Sequence, residues 1–137
     1  MKSSVSSHSF RLLPGQDLKQ EILKYCKEHQ LQAACVVSSV GSLKDAAIRL
    51  AEATRIAQLQ GPFEIVSLTG TLSIDGAHLH ISLSDDQGKV WGGHVLEGCK
   101  ILTTAEIVLL EITDLRFERK FDQSTGYQEL IIKNHQG

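Results

Sequence analysis

The chain has 137 residues and a mass of 15.1 kDa, with 42% of residues hydrophobic and 22% charged. That is the composition of an ordinary globular domain able to bury roughly 70% of its unfolded surface, and it excludes a disordered tail or a fibrous repeat. Fourteen basic against 16 acidic residues give a formal charge of -2, without the basic excess through which dedicated nucleic-acid binders neutralise phosphates.

The N-terminal Met1 to His8 segment is serine-rich, carries one positive charge and leads into no apolar run, so it does not read as a secretory signal. The longest apolar stretches, such as Ile107 to Leu110, are too short to cross a bilayer. Cys26, Cys35 and Cys99 are odd in number and contain no Cys-x-x-Cys, so they are expected reduced, as in a cytosolic protein. These readings give a single soluble, cytoplasmic domain over residues 1–137, with its core over about 8–132 and no membrane association.

In chain order, Phe10, Leu12 and Leu13 predict a short strand ending at Pro14-Gly15. Asp17 is a candidate N-cap for an amphipathic helix over Leu18 to His29, where Leu18, Ile22, Tyr25 and Cys26 fall at helical spacing. Cys35 to Val40 is β-branched and predicts a buried strand ending at Gly41. The segment from Leu43 to Gln60 supports two readings, a helix capped by Ser42 or Asp45 and a strand on the alternation of Ile48, Leu50 and Ala53. From Gly61-Pro62 onward the pattern is that of strands: Phe63 to Thr69 with Gly70 as a bulge or bend, His78 to Ser84, Val90 to Leu96, at least one within Ile101 to Phe121, and Tyr127 to Ile132. Strands dominating one half of the chain argue for an α+β fold rather than alternating βαβ units.

The chemistry concentrates in one hairpin. A loop of Asp86-Gln87-Gly88, with glycine as its left-handed residue, makes Asp85 and Lys89 an opposite-charge pair. Counting back places Ser84 opposite Val90, Leu83 opposite Trp91, Ser82 opposite Gly92, Ile81 opposite Gly93 and His80 opposite His94. One face then carries Leu79, Ile81, Leu83, Trp91 and Val95, and the other carries His78, His80, Ser82, Gly92 and His94. His-x-His on a strand points both imidazoles the same way, a natural metal-ligand spacing. His78, His80 and His94 are therefore candidate ligands of one divalent transition metal, zinc foremost, with nickel, copper or iron also accepting imidazoles. The same three residues also fit surface histidines on a solvated strand, or histidines bonded to carboxylates across an interface. Three protein ligands would leave an open position for water or a small-molecule ligand.

Weaker signals remain. Gly92-Gly93 lacks the helix of a phosphate cradle. Arg116, Arg119 and Lys120 read as a solvated strand face interrupted by Glu118 and Asp122. Cys99 reads as a small buried residue, and Glu106 as either a paired buried carboxylate or a site residue.

Gly61-Pro62-Phe63-Glu64-Ile65-Val66-Ser67-Leu68-Thr69-Gly70-Thr71-Leu72, His78-Leu79-His80-Ile81-Ser82-Leu83 and Gly92-Gly93-His94 together resemble the plant-and-prokaryote-conserved domain, which plants carry in AT-hook nuclear-localised proteins. Arg11-Leu-x-Pro-Gly, Gly41-Ser42-Leu43 and Thr104 to Leu109 extend the resemblance from about Phe10 to about Leu130. It implies a mainly antiparallel sheet flanked by helices, a homotrimer, and a strand over Ala47 to Thr54. The Arg-Gly-Arg-Pro of an AT-hook is missing, and Gly61-Pro62-Phe63 stands where the plant domain has Gly-Arg-Phe. The His-x-His and Gly-Gly-His pattern resembles that of the stand-alone prokaryotic members and strengthens the metal reading. The alternative implied by the family is a DNA-binding or transcription-associated regulator, a trimeric interaction module whose nucleic-acid binding would be weak and salt-sensitive.

Overall fold

Among the described residues the computed structural model has nine elements, eight strands and one helix: β1 (Val5–Leu12), α1 (Leu18–Glu28), β2 (Ala34–Arg49), β3 (Ile56–Ser73), β4 (Gly76–Ser84), β5 (Val90–Val95), β6 (Lys100–Ile112), β7 (Leu115–Asp122) and β8 (Tyr127–Asn134). The structure describes residues 3–135; Met1, Lys2, Gln136 and Gly137, the outermost part of the expected 1–137 domain and of its N-terminal segment, lie outside the described residues. Six strands form an antiparallel sheet in the order β1-β6-β2-β3-β4-β5, and β7 pairs with β8 as a separate hairpin. The sheet also curls back on itself, because the end of β2 pairs with β5 through Ile48↔Val95 and Arg49↔His94. Among the described residues no helix is long and apolar enough to cross a membrane.

Helix α1 starts where the sequence predicts. The Asp17 side chain accepts the Gln20 N–H at 3.1 Å, satisfying a donor that the first turn leaves unpaired. Its second oxygen accepts the Gly98 N–H at 2.7 Å, so one buried carboxylate joins the helix start to the turn before β6. Leu18, Ile22 and Cys26 are fully buried on the helix face toward the sheet. Among the described residues this helix stands alone, which corrects the expectation of helices flanking the sheet: most of the remaining sequence is absorbed by strands, two of them 16 and 18 residues long.

Strand β2 does not stop at Gly41 but runs 16 residues to Arg49, and Val37 and Val40 within it are exposed rather than buried. The ambiguous segment is strand through Arg49, a turn over residues 50–55, and strand again from Ile56. The Ala47 to Thr54 strand implied by the resemblance thus ends after three residues. Burial explains why alanine's helical preference loses here: Ala46, Ala47 and Ile48 are each 1% exposed and line the core, and tertiary packing outweighs propensities of a few tenths of a kcal/mol. Gly70 is not a bulge; it pairs in register with Leu79, and the shift in β3 falls between Ile65 and Ser67. A side chain at Gly70 would bring a Cβ within 2.0 Å of the His78 carbonyl oxygen, so glycine lets β3 close on β4 beside that histidine. The core is continuous, from Leu12 and Leu18 through Leu43 and Leu79 to Ile107 and Leu109.

Candidate metal centre

The β4–β5 hairpin follows the sequence reading residue by residue. Ser84 pairs with Val90, Leu83 with Trp91, Ser82 with Gly92, Ile81 with Gly93 and His80 with His94. Gly88 turns the chain at φ +78°, a conformation that costs glycine nothing. Leu79, Ile81, Leu83 and Val95 are buried, and Trp91 packs against them partly exposed. The Asp85–Lys89 pair differs from expectation. The Lys89 ammonium lies 4.2 Å from the centroid of the Trp91 ring, a cation–π arrangement. The Asp85 carboxylate instead accepts the Gln87 N–H, the Lys89 N–H and the Trp91 indole N–H.

On the opposite face the structure brings His78, His80 and His94 together. One ring nitrogen from each lies within 4.8 Å of the others, and the ring centroids are 4.9, 5.0 and 5.6 Å apart. The Nε2 atoms of His78 and His80 approach to 3.1 Å. Two imidazole nitrogens on a tetrahedral zinc at its usual bond length stand about 3.4 Å apart, so this pair already sits near the required spacing. His94 Nδ1 is buried and has no hydrogen-bond partner among the described residues. A buried orphan polar atom is rare, and here it belongs to one of the three clustered imidazoles.

Electrostatics favour the neutral, lone-pair-donating form of His94 and His78. His94 is pushed down to about 4, first by desolvation and then by the positive charge of Arg49. His78 is also lowered, by desolvation first and then by His80 and Arg119. Both effects disfavour the imidazolium. The residues present therefore fit a divalent transition metal, whose chemistry at such a three-histidine site would include an open position and acidification of a bound water.

Two arginines of the site escape sequence reasoning. Arg49 sits at the end of β2 directly opposite His94. Arg119, read as part of a solvated face, donates from its guanidinium to Thr71 Oγ1 at 2.8 Å; Thr71 is itself the partner of His78. Both line an open cleft of about 430 Å³ with His78, His94, Tyr127 and Glu129. The available signal was the alternation of β7, since Arg119 falls two residues from the buried Phe117 while Lys120 is exposed. Of the other candidates, Cys99 is buried as read, its thiol donating to the Ala47 carbonyl at 3.4 Å. Glu106 is exposed in the middle of β6, opposite Arg11 and Val40, which overturns the buried-carboxylate reading. Gly93 supports packing rather than a phosphate cradle: a Cβ there would stand 2.6 Å from the Arg49 carbonyl oxygen.

Fold and site together define a small antiparallel-sheet protein with three imidazoles gathered on the open face of one hairpin. The chain belongs to the Plants and Prokaryotes Conserved (PCC) domain family, which residues 1–113 match. It is 49% identical over 130 residues to the bifunctional protein GlmU of Synechococcus sp. (strain JA-3-3Ab), covering 95% of this chain and 21% of that protein. The chain thus spans about a fifth of the length of that curated relative, which is 21% covered. A solved protein of Salmonella enterica superposes with a TM-score of 0.95 at 38% identity, covering 99% of both chains. A metal-containing protein of Archaeoglobus fulgidus superposes with a TM-score of 0.81 at 28% identity, covering 95% of this chain and 96% of that one.

Proposed function

We propose that this PCC-domain protein binds one divalent transition metal, zinc foremost, through His78, His80 and His94, and presents an open coordination position to water or a small ligand. The observation that carries the reading is the convergence of three ring nitrogens within 4.8 Å, with the orphaned, buried His94 Nδ1 among the same side chains. The similarity to a solved metal-containing protein supports it. Zinc at three histidines with a vacant position is the arrangement of catalytic rather than structural sites.

The test is elemental analysis of protein purified without a histidine tag, followed by zinc titration of wild type and His80→Ala. One zinc per chain is expected, with affinity falling in the variant by more than the roughly 10–100-fold that loss of an outer-shell partner costs. Wild-type affinity in His80→Ala would defeat the assignment.

Self-association as a homotrimer belongs to the same proposal. The exposed apolar side chains of Val37 and Val40 on β2 and Val66 on β3 support it, since apolar surface of this kind favours covering. Sedimentation equilibrium checks it, and a stable monomer would count against it. DNA association is the weaker reading, because a chain of net charge -2 has little with which to release counterions. Retention on duplex DNA across a salt series separates the two.

A further inference from the structure

The 430 Å³ cleft beside the imidazoles is within the range of small-ligand sites, and its charges say what kind of ligand it takes. Its ionised side chains are Arg49 and Arg119 on one account and Asp75 and Glu129 on the other, so the cleft is neutral before a metal enters. A divalent ion on His78, His80 and His94 adds two positive charges that no residue of the cleft offsets.

The two guanidiniums are held by neutral groups. Arg119 donates to the Thr71 hydroxyl at 2.8 Å, and the Arg49 guanidinium carbon lies 5.5 Å from the centroid of the Tyr127 ring. Among the described residues neither forms an ion pair, so each keeps donors free for a ligand. Desolvation lowers the pKa of the part-buried Arg119, with Glu129 acting in the opposite sense, which marks a cation only partly compensated. Paired guanidiniums match the planar fork of a carboxylate or the oxygens of a phosphoryl group.

Resting on the metal reading above, we infer that the site takes a small oxyanionic ligand, one oxygen entering the open position of the metal while Arg49 and Arg119 hold its negative charge. Arg49 and Arg119 are binding residues of this ligand, and its affinity depends on the metal. By linkage the anion strengthens metal binding by the same factor.

The experiment uses cobalt(II)-loaded protein, whose visible absorption changes when an anion enters the metal's coordination sphere. Malonate and methylphosphonate serve as probes of the carboxylate and phosphoryl sources. Saturable spectral change with either probe is expected, and the probe that binds tighter names the source. Affinity should fall about tenfold or more in Arg49→Gln and in Arg119→Gln, the scale of one charge-assisted hydrogen bond. Arg119→Lys should recover part of the loss, and cobalt stoichiometry and melting temperature should stay as in wild type. If cobalt binds but neither probe alters its spectrum, or both glutamine variants bind the probes as wild type does, the inference is overturned while the metal site stands. If the wild-type chain takes up no metal, both fall.

Discussion

Asp85 accepts the indole N–H of Trp91 at 3.3 Å across the β4–β5 hairpin. The same carboxylate holds the turn by accepting two backbone N–H groups, those of Gln87 and Lys89. One side chain therefore fixes both the loop and the aromatic end of the ribbon that carries the histidines. Desolvation raises its pKa, but the bonds from Lys89, Trp91 and Gln87 together outweigh it and hold the carboxyl below the ordinary aspartate range. Such a group stabilises the fold fully above its unfolded value of about 3.9, and that contribution is lost as pH falls through the lower folded value. Trp91 is the only tryptophan, so its fluorescence reads the hairpin directly. Acid titration of wild type is expected to leave the emission unchanged down to about pH 4, whereas Asp85→Ala should red-shift it at neutral pH and lower the melting temperature by a few degrees.

Leu79 and His80 are adjacent, yet one is 1% exposed in the core and the other is exposed on the face that carries the three histidines. Leu79→Ala should destabilise the metal-free protein by about 2–5 kcal/mol, as for other buried leucines. His80→Ala should change it by no more than about 0.5 kcal/mol. Urea denaturation without metal separates the two, and equal losses would mean that the face assignment is wrong.

Zinc affinity should weaken as pH falls, since protons compete for the ligand nitrogens. His94, with its pKa near 4 through desolvation and Arg49, loses this competition only in strong acid. The fall should therefore be shallower than for three imidazoles of ordinary pKa near 6.5. A zinc titration against a competing chelator at successive pH values measures the slope. A slope matching three ordinary imidazoles would remove the claim that His94 is held neutral.

Gly93→Ala places a Cβ 2.6 Å from the Arg49 carbonyl oxygen, so β5 must move away from the end of β2. His94 and Arg49 are cross-strand partners at that point, and both should shift. Zinc affinity is expected to drop at least about tenfold, with a parallel loss of stability. An alanine variant that bound zinc as tightly as wild type would show that the close approach of β5 to β2 does not position His94.

The β4–β5 register and its two faces were legible because a two-residue period and a glycine turn admit few alternatives. The helix and its Asp17 cap were legible from an equally local signal, apolar residues at helical spacing behind an N-cap. What escaped was set by distant packing. Ala46 and Ala47 carry helical propensity but are buried in β2, and the reach of that strand depends on its pairing with β3, β5 and β6. Arg49 joins the site through the β2–β5 pairing and Arg119 through its hydrogen bond from the separate β7–β8 hairpin to Thr71, about 45 and 25 residues from His94 in the sequence. Glu106 misled because apolar neighbours along a strand say nothing about the face on which a residue falls.

The pairing of β1 with β6, which puts Val5 opposite Ile112, constrains the order in which the protein can assemble. During synthesis β1 has no partner until β6, about a hundred residues later, has been made, and closure of so long a loop slows folding. The β4–β5 hairpin is under no such delay, because His80 and His94 meet across a short turn of the kind that closes in microseconds. The segment that carries the three histidines is thus among the first able to form, while β1 at the far edge of the sheet must wait until β6 has been made.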